Sequence, residues 1–434
     1  MTREEYLQKV SENIRWKVAV PTVRSELENH IIDQKEAFMT QGIPEDTAEN
    51  LAVREMGNPE ETGLQLDKIH RPKHDASLFC MLSVIVAFGI LMQCILFGCA
   101  GNSAISSDYP AKTVLFNIIG AGIMMAIYFL DYRLFCRHTW KIYFGYLGFS
   151  AFFSLISMPY YSLFYARSNA AYSLFIPLFA AFVYRFRGQK GLGIIKCLGL
   201  LLFQQIFFGI IFGTMSLPYF CAVIVTCLLI LFLAVCKDYF GGRKKLHIIL
   251  FLLFILGLPL FFFIDFLFSG GALFGLKAYQ VERLNVILHP ADYTGGASYV
   301  LLMARQQMEN CTFGGTATVG ALGELSEAYS DYIVTCMFSY FGAGITMLLL
   351  LVFALFLSRT LQISLFQPNR FGFLASTGVV IFLFVKVAFY VLSNLGLLPA
   401  SSIDMPFLSY GFFCTISNYL LVGFVLSVYR YSNA

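Results

Sequence analysis

Three groups of residues in this chain are of types that do chemistry. Asp331 stands at the mouth of a long apolar stretch, just after Glu327-Ala-Tyr-Ser330. A carboxylate in apolar surroundings can have its pKa raised toward the value a general base needs, and the same position also suits an N-cap placed against a helix dipole. Lys386 lies inside another apolar stretch. A lysine so placed is costly; it marks a polar pathway such as a substrate cavity, or it pairs with a carboxylate, for which Asp265 is a candidate. The third group is Pro399-Ala-Ser-Ser-Ile-Asp-Met-Pro406-Phe-Leu-Ser409-Tyr410-Gly411. Two prolines forbid a continuous helix here, so rigid backbone with polar side chains is held beside the final apolar stretch, as in the lining of a cavity.

These residues depend on elements that composition identifies. The chain has 434 residues, of which 58% are hydrophobic and 13% charged, with a mean hydropathy of +0.70. A soluble domain of this length is excluded and a polytopic, all-α membrane protein is expected. About ten segments are long enough, or nearly so, to span: 77–99, 111–132, 141–160, 170–186, 192–213, 217–236, 246–268, 331–357, 371–393 and 406–429. The fourth is short and carries Pro177, which predicts a broken or tilted span. Eleven cysteines include no CxxC pair and mostly sit in apolar runs, so neither a disulfide framework nor structural zinc is expected. His289 has no second ligand at metal spacing, and no metal site is assigned.

Residues 1–75 differ from the rest, being charged and without a spanning segment. Thr2-Arg-Glu-Glu5 has capping-box spacing, and Val23, Leu27 and Ile31 recur at helical intervals before Gly42. Pro44 opens a further helix that ends at Gly57, so a bundle of three short helices is predicted. The first apolar run follows all of this, and no signal peptide is expected. Basic residues cluster in every second loop: Arg133, Arg137 and Lys141; Arg185, Arg187 and Lys190; Lys237, Arg243, Lys244 and Lys245; Arg359 and Arg370. The positive-inside rule makes those loops cytoplasmic, with both termini, and puts residues 269–330 and the Pro399–Pro406 loop outside. The outer connection is too long for a passive linker. It contains Tyr279-Gln280-Val-Glu-Arg283, His289-Pro290-Ala-Asp292 and Gly295-Gly296-Ala-Ser-Tyr299 before it reaches Asp331.

Together these segments resemble the SEDS family, the FtsW, RodA and SpoVE group of cell-wall proteins. Its pattern is a Tyr-Gln…Arg…Pro…Asp…Gly-x-x-Tyr loop ending in Glu-x-His-Thr-Asp-Phe-Ile-Phe, then a Pro-Phe-Ile-Ser-Tyr-Gly-Gly loop. The match is good over about Leu276 to Arg430, and by layout alone before that. Separately, Leu27 through Gly57 resembles the helical prefix domain found ahead of some bacterial permeases and membrane enzymes. The SEDS resemblance implies a ten-span transmembrane domain at residues 76–434, behind the cytoplasmic helical domain of residues 1–75. It also implies an inverting glycosyltransferase that polymerises lipid II on the outer face of the bacterial plasma membrane, partnered by a class B penicillin-binding protein transpeptidase. No nucleic-acid partner is implied.

Asp331 matches the family's catalytic carboxylate and is the base expected to take the proton of the attacking sugar hydroxyl. The resemblance assigns substrate binding to Tyr279, Gln280, Arg283, Tyr299, Lys386, Ser409 and Tyr410, and cavity shaping to Pro399, Pro406 and Gly411. A pyrophosphate leaving group needs cationic stabilisation, which Arg283, Lys277, Arg305 or a divalent ion (Mg or Mn) could supply. The chain also departs from the pattern. Where the family has Gln-Pro-Ser-Glu near the fourth span, the text around Pro177 is Phe-Ile-Pro-Leu-Phe-Ala, with the proline kept and its polar partners gone; the family's Glu-Glu after the catalytic position is Ser339-Tyr340, and its Gly-Gly-Ser is Phe412-Phe413-Cys414. Arg167 lies about one residue from the family's arginine, and Lys386 stands where the family usually has Gln. Two rival functions therefore accompany the first: a non-catalytic scaffold that recruits a transpeptidase, and a lipid-linked substrate transporter.

Overall fold

The computed structural model describes residues 1–99, 108–157, 169–212, 217–242, 297–315, 330–398 and 403–432, with isolated positions between 245 and 286. The chain folds into two compact units, residues 1–74 with 429–434, and residues 75–428. The first unit therefore takes in the last residues of the chain as well as the charged N-terminal segment.

Four helices, not three, build the first unit: α1 (Arg3–Asn13), α2 (Val20–Thr40), α3 (Glu45–Glu55) and α4 (Pro59–Ile69). The capping box is present, with Thr2 Oγ1 accepting from the Glu5 N–H at 3.2 Å and Glu5 accepting from the Thr2 N–H at 3.0 Å. Gly42 and Gly57 take positive φ after α2 and α3, as helix stops do. The additional helix, α4, is announced by Asn58-Pro59, a side-chain cap followed by proline at the first helical position. Tyr6, Leu7, Val10, Val23, Ile31 and Ala52 form the core. Asp67 is buried within it, accepting from the Arg15 N–H at 2.9 Å and from Arg71 at 3.0 Å.

The second unit begins with α5 (Ala76–Cys99) and α6 (Tyr109–Phe129), followed by the short basic α7 (Arg133–Arg137) and α8 (Thr139–Ser157). Then come α9 (Phe175–Arg185), α10 (Lys190–Phe212), α11 (Leu217–Cys236), α12 (Ala297–Glu309), α13 (Ile333–Leu365), α14 (Arg370–Asn394) and α15 (Phe412–Arg430). Seven helices are long and apolar enough to cross a membrane among the described residues, and the chain is a multi-pass membrane protein. No strand occurs among the described residues. The predicted seventh span, 246–268, lies outside them except at isolated positions. The fourth span is interrupted by a turn at Leu174 just ahead of α9, and the tenth starts at Phe412 because residues 403–411 are not helical.

α14 is the central helix, packed against α9, α11 and α13. Phe371 to Val380 are all buried along it, as befits a helix that is apolar on every side. α13 breaks at Gly342, whose φ of 81° is outside the helical range. The stretch of chain from Cys311 to Gly315 inserts at the break. There the Thr312 and Phe313 carbonyls accept from the Ala343 and Gly344 N–H groups, each at 3.1 Å. A Cβ on Gly342 would come within 2.1 Å of the Gly315 nitrogen, so only glycine permits this crossing. The part of α13 beyond the break, 343–365, is by itself about 34 Å long, which exceeds the ~30 Å hydrocarbon core. Residues 333–341 are therefore the surplus end of the helix.

Candidate active site

The loop from Ile403 to Ser409 is buried, as non-helical backbone at membrane depth has to be. Phe407 holds a φ of +66°, a strained conformation for a bulky side chain. Its ring packs edge-on to Tyr419 at 5.0 Å, and its carbonyl lies against α5 at Gly89, where a Cβ would come within 2.4 Å. Gln93, one turn further along α5, donates to the Leu408 carbonyl at 2.6 Å and accepts from the Tyr109 hydroxyl. Tyr410 stacks on Tyr109 with centroids 4.2 Å apart. These contacts seat the loop between α5, α6 and α15.

Ser409 joins the loop to the segment that carries Asp331. Its hydroxyl accepts from the Met405 N–H at 2.9 Å and donates to the Ser330 carbonyl at 2.6 Å. That carbonyl also accepts from the Tyr390 hydroxyl at 2.9 Å. Asn394 donates to the Asp331 carbonyl at 2.9 Å and accepts from the Thr335 N–H at 3.2 Å, while Tyr390 accepts from the Ile333 N–H at 2.9 Å. The cap position of α13 is Tyr332, which makes no side-chain cap bond. Two residues of α14 thus do the capping that Asp331 could have done, and the backbone on both sides of Asp331 is fixed from other elements. The half-buried Asp331 carboxylate accepts from the Ser330 hydroxyl at 3.2 Å.

Lys386 is fully buried, and its ammonium lies 2.7 Å from Asp404 and 2.9 Å from the Asn418 Oδ1. A carboxylate partner is thus Asp404, in the loop itself; the candidate Asp265 lies outside the described residues. The Cys414 side chain lies close enough to Asp404, Lys386 and Asp331 for all three to act on it electrostatically. Asp331 and the buried ion pair therefore share one neighbourhood. Arg305 on α12 donates to the Gly396 carbonyl, which ties it to the turn ahead of the loop.

Of the remaining residues expected from the sequence, Pro406 is buried in the loop and Gly411 leads into α15 with a φ of 155°. Tyr299 falls in α12, although its side chain lies outside the described residues, as do Tyr279, Gln280, Arg283, Lys277, Arg167, Glu327 and Pro399. Sequence reasoning passed over Asp404, Asn418, Tyr390, Asn394, Gln93 and Asn117. A small cleft, with room for little more than a water molecule, opens beside the loop, lined by Gly89, Gln93, Thr113, Asn117, Ser409 and Tyr410 among others. Among the described residues no three His, Cys, Asp or Glu side chains converge as metal ligands. The arrangement can hold one carboxylate in a fixed position at the mouth of α13, where it can take a proton from a bound hydroxyl.

Residues 75–434 match the family model described as cell cycle protein, the FtsW/RodA/SpoVE group. Among curated relatives, the probable peptidoglycan glycosyltransferase FtsW of Thioalkalivibrio sp. is 30% identical over 158 residues, covering 35% of this chain and 40% of the relative. Stage V sporulation protein E of Bacillus subtilis is 28% identical over 161 residues, 36% of this chain and 43% of the relative. The aligned part thus spans less than half of those proteins. The probable FtsW of Coxiella burnetii aligns further, at 25% identity across 81% of this chain and 94% of its own. Among solved structures, a chain of a peptidoglycan synthase complex superposes with a TM-score of 0.58 at 18% identity, covering 82% of this chain and 98% of that one. A variant of the rod shape determining protein RodA of Thermus thermophilus gives a TM-score of 0.52 at 15% identity, covering 82% and 97%. These likenesses bear on the fold.

Proposed function

Because the chain belongs to the FtsW/RodA/SpoVE family of cell cycle proteins across residues 75–434, we propose that it is a peptidoglycan glycosyltransferase. It would polymerise lipid II on the outer face of the bacterial plasma membrane, with Asp331 as general base. The acceptor sugar hydroxyl gives its proton to Asp331 as its oxygen attacks the anomeric carbon of the donor. The anomeric C–O bond breaks with inversion, and its electron pair leaves on the pyrophosphate.

The observation that carries this reading is the treatment of Asp331. Tyr390 and Asn394 bond the first N–H groups of α13, Asn394 the carbonyl of Asp331 and Ser409 the carbonyl before it, so the backbone that carries this carboxylate is held in place from two other elements. Cationic help for the pyrophosphate would come from Arg283 and Lys277. A divalent cation, Mg or Mn, would come with the pyrophosphate. Both termini would be cytoplasmic, in keeping with the basic loops and with residues 429–434 joining the N-terminal unit. A class B penicillin-binding protein would be the partner, as family membership suggests, and the N-terminal unit would act as a cytoplasmic prefix domain.

A second reading, a scaffold that recruits the transpeptidase, draws on the first half of the unit, where the family's charged motif is replaced by neutral residues. Fluorescent lipid II supplied to the purified protein with its transpeptidase decides between them. Glycan polymer from the wild type, falling by about 100-fold or more in Asp331→Asn, is the expected outcome. A folded wild type that makes no polymer rejects the enzyme in favour of the scaffold, while lipid II movement across vesicles that survives Asp331→Asn points to transport.

A further inference from the structure

Lys386 sits 16 residues into α14, about 24 Å from its start. It is 0% exposed and Asp404 6%, and their charged atoms are 2.7 Å apart. Asn418 closes a triangle, accepting from Lys386 Nζ at 2.9 Å and donating to Asp404 Oδ2 at 2.9 Å. The ammonium also faces the Tyr219 ring of α11, 5.8 Å from its centroid. α14, the loop and α15 are thus joined at one charge-neutral point.

We propose that Lys386, Asp404 and Asn418 form a lock that positions the loop and, through it, Asp331; Lys386 is a positioning residue and not a ligand of the substrate phosphates. The path is short. Asp404 precedes Met405, whose N–H bonds Ser409, and Ser409 bonds the carbonyl next to Asp331. A displaced Asp404 therefore loosens the clamp on the proposed base. The ammonium already has two strong acceptors and no exposure, which leaves it poorly placed to meet a phosphate. The inference rests on the polymerase reading for its kinetic consequence, while the lock itself is a matter of structure.

The physics of a buried pair supplies the test. Deleting one charge strands the other in a low-dielectric interior, whereas replacing both with apolar residues of similar size strands neither. Lys386→Met and Asp404→Leu, singly and together, are compared in two measurements. One is the polymerisation kcat and KM with lipid II; the other is the rate at which N-ethylmaleimide alkylates Cys414, read by peptide mass spectrometry. Cys414 is a suitable reporter because the residue is half-buried and its thiol lies within electrostatic reach of Asp404 and Lys386.

Each single variant is expected to lower kcat about tenfold or more with KM nearly unchanged, and to label Cys414 correspondingly faster. The double variant is expected to return both quantities to within about threefold of wild type. A rise in KM for Lys386→Met with Asp404→Leu silent would make Lys386 a phosphate ligand and overturn the lock, as would a double variant no better than the singles. If the wild type makes no polymer, the proposed function falls and the labelling decides alone: acceleration in the singles with recovery in the double supports the lock, and uniform labelling rejects it. If a single variant fails to fold, a double variant that folds supports the lock and one that also fails rejects it. The polar pair Lys386→Gln with Asp404→Asn, which keeps hydrogen-bonding groups, is read in the same way as the double variant.

Discussion

The two halves of the transmembrane unit meet the same demand, polar groups inside an apolar bundle, with different chemistry. Around α8, α9, α10 and α11 the buried network is neutral. Tyr143 donates to Gln204 at 2.9 Å, Gln204 donates to Tyr146 at 3.1 Å, and Tyr172 donates to Gln205. Around α13, α14 and α15 the network holds a buried ion pair, whose carboxylate belongs to the loop, and further bonds from Tyr390, Asn394 and Ser409 to the backbone beside Asp331. An uncompensated ion is far more costly to bury than a hydroxyl or an amide. Charge is retained, then, where it fixes the irregular backbone of the loop, while the described contacts among α8, α9 and α10 rest on neutral groups.

If that contrast is sound, damage to the loop should affect activity far more than damage to the neutral network. The largest effect is expected at Gly89. A Cβ there would meet the Phe407 carbonyl at 2.4 Å, and backbone cannot step aside as a side chain can. Gly89→Val should displace the loop and reduce lipid II polymerisation by about 100-fold, with the protein still monodisperse in detergent. Ser409→Ala comes next. It leaves the Met405 N–H without its acceptor and the Ser330 carbonyl with one donor fewer, at about 1–3 kcal/mol. A fall in kcat of about tenfold with unchanged KM is expected; wild-type kcat in this variant would break the comparison at its strongest point.

Much of this was legible in the amino-acid order, and the gaps have physical reasons. Apolar runs longer than the hydrocarbon core reveal spans directly, and Pro177 marks the short fourth one. The break in α13 does not show, because Phe341-Gly342-Ala343-Gly344 reads as ordinary spanning helix. It exists because Cys311 to Gly315 supplies carbonyls from far away in the chain. Asp404 lay in plain view inside the proline-bracketed loop, but the expected partner for Lys386 was sought in another span, as though the loop stayed at the surface. A better signal was also present: Lys386, Tyr390 and Asn394 follow one another at four-residue spacing, as do Tyr109, Thr113 and Asn117. In an apolar helix that spacing places polar groups on one face, aimed at one neighbour.

The neutral half predicts a smaller and purely structural effect. Gln204→Leu leaves the Tyr143 and Tyr146 hydroxyls without that partner, at about 1–3 kcal/mol. The melting temperature should fall by a few degrees, at about 2–4 °C per kcal/mol for a chain of a few hundred residues. Polymerisation below the melting point should stay within about threefold of wild type. Replacing all three groups together, Tyr143→Phe, Gln204→Leu and Tyr146→Phe, should recover most of the lost stability, since no buried polar atom of that set is then stranded. Loss of activity out of proportion to the change in melting temperature would show that this network also serves the reaction.

The N-terminal unit offers a third case, in which a buried charge fixes backbone outside the membrane, and it predicts the smallest effect. Asp67 accepts from the Arg15 N–H first and from the Arg71 guanidinium second, and despite burial these hold its carboxyl below the usual carboxylate range. A folded pKa lower than the unfolded one means that ionised Asp67 stabilises the unit fully above about pH 4. That contribution is lost as the pH falls through the lower, folded value. Asp67→Asn should therefore lower protection of α1 and α4 in hydrogen exchange at neutral pH, with little difference from wild type near pH 2. Polymerisation should be unaffected, because the unit carries none of the groups that hold Asp331. Equal exchange protection of wild type and variant at neutral pH would show that the Arg15 to Asp67 contact fixes nothing.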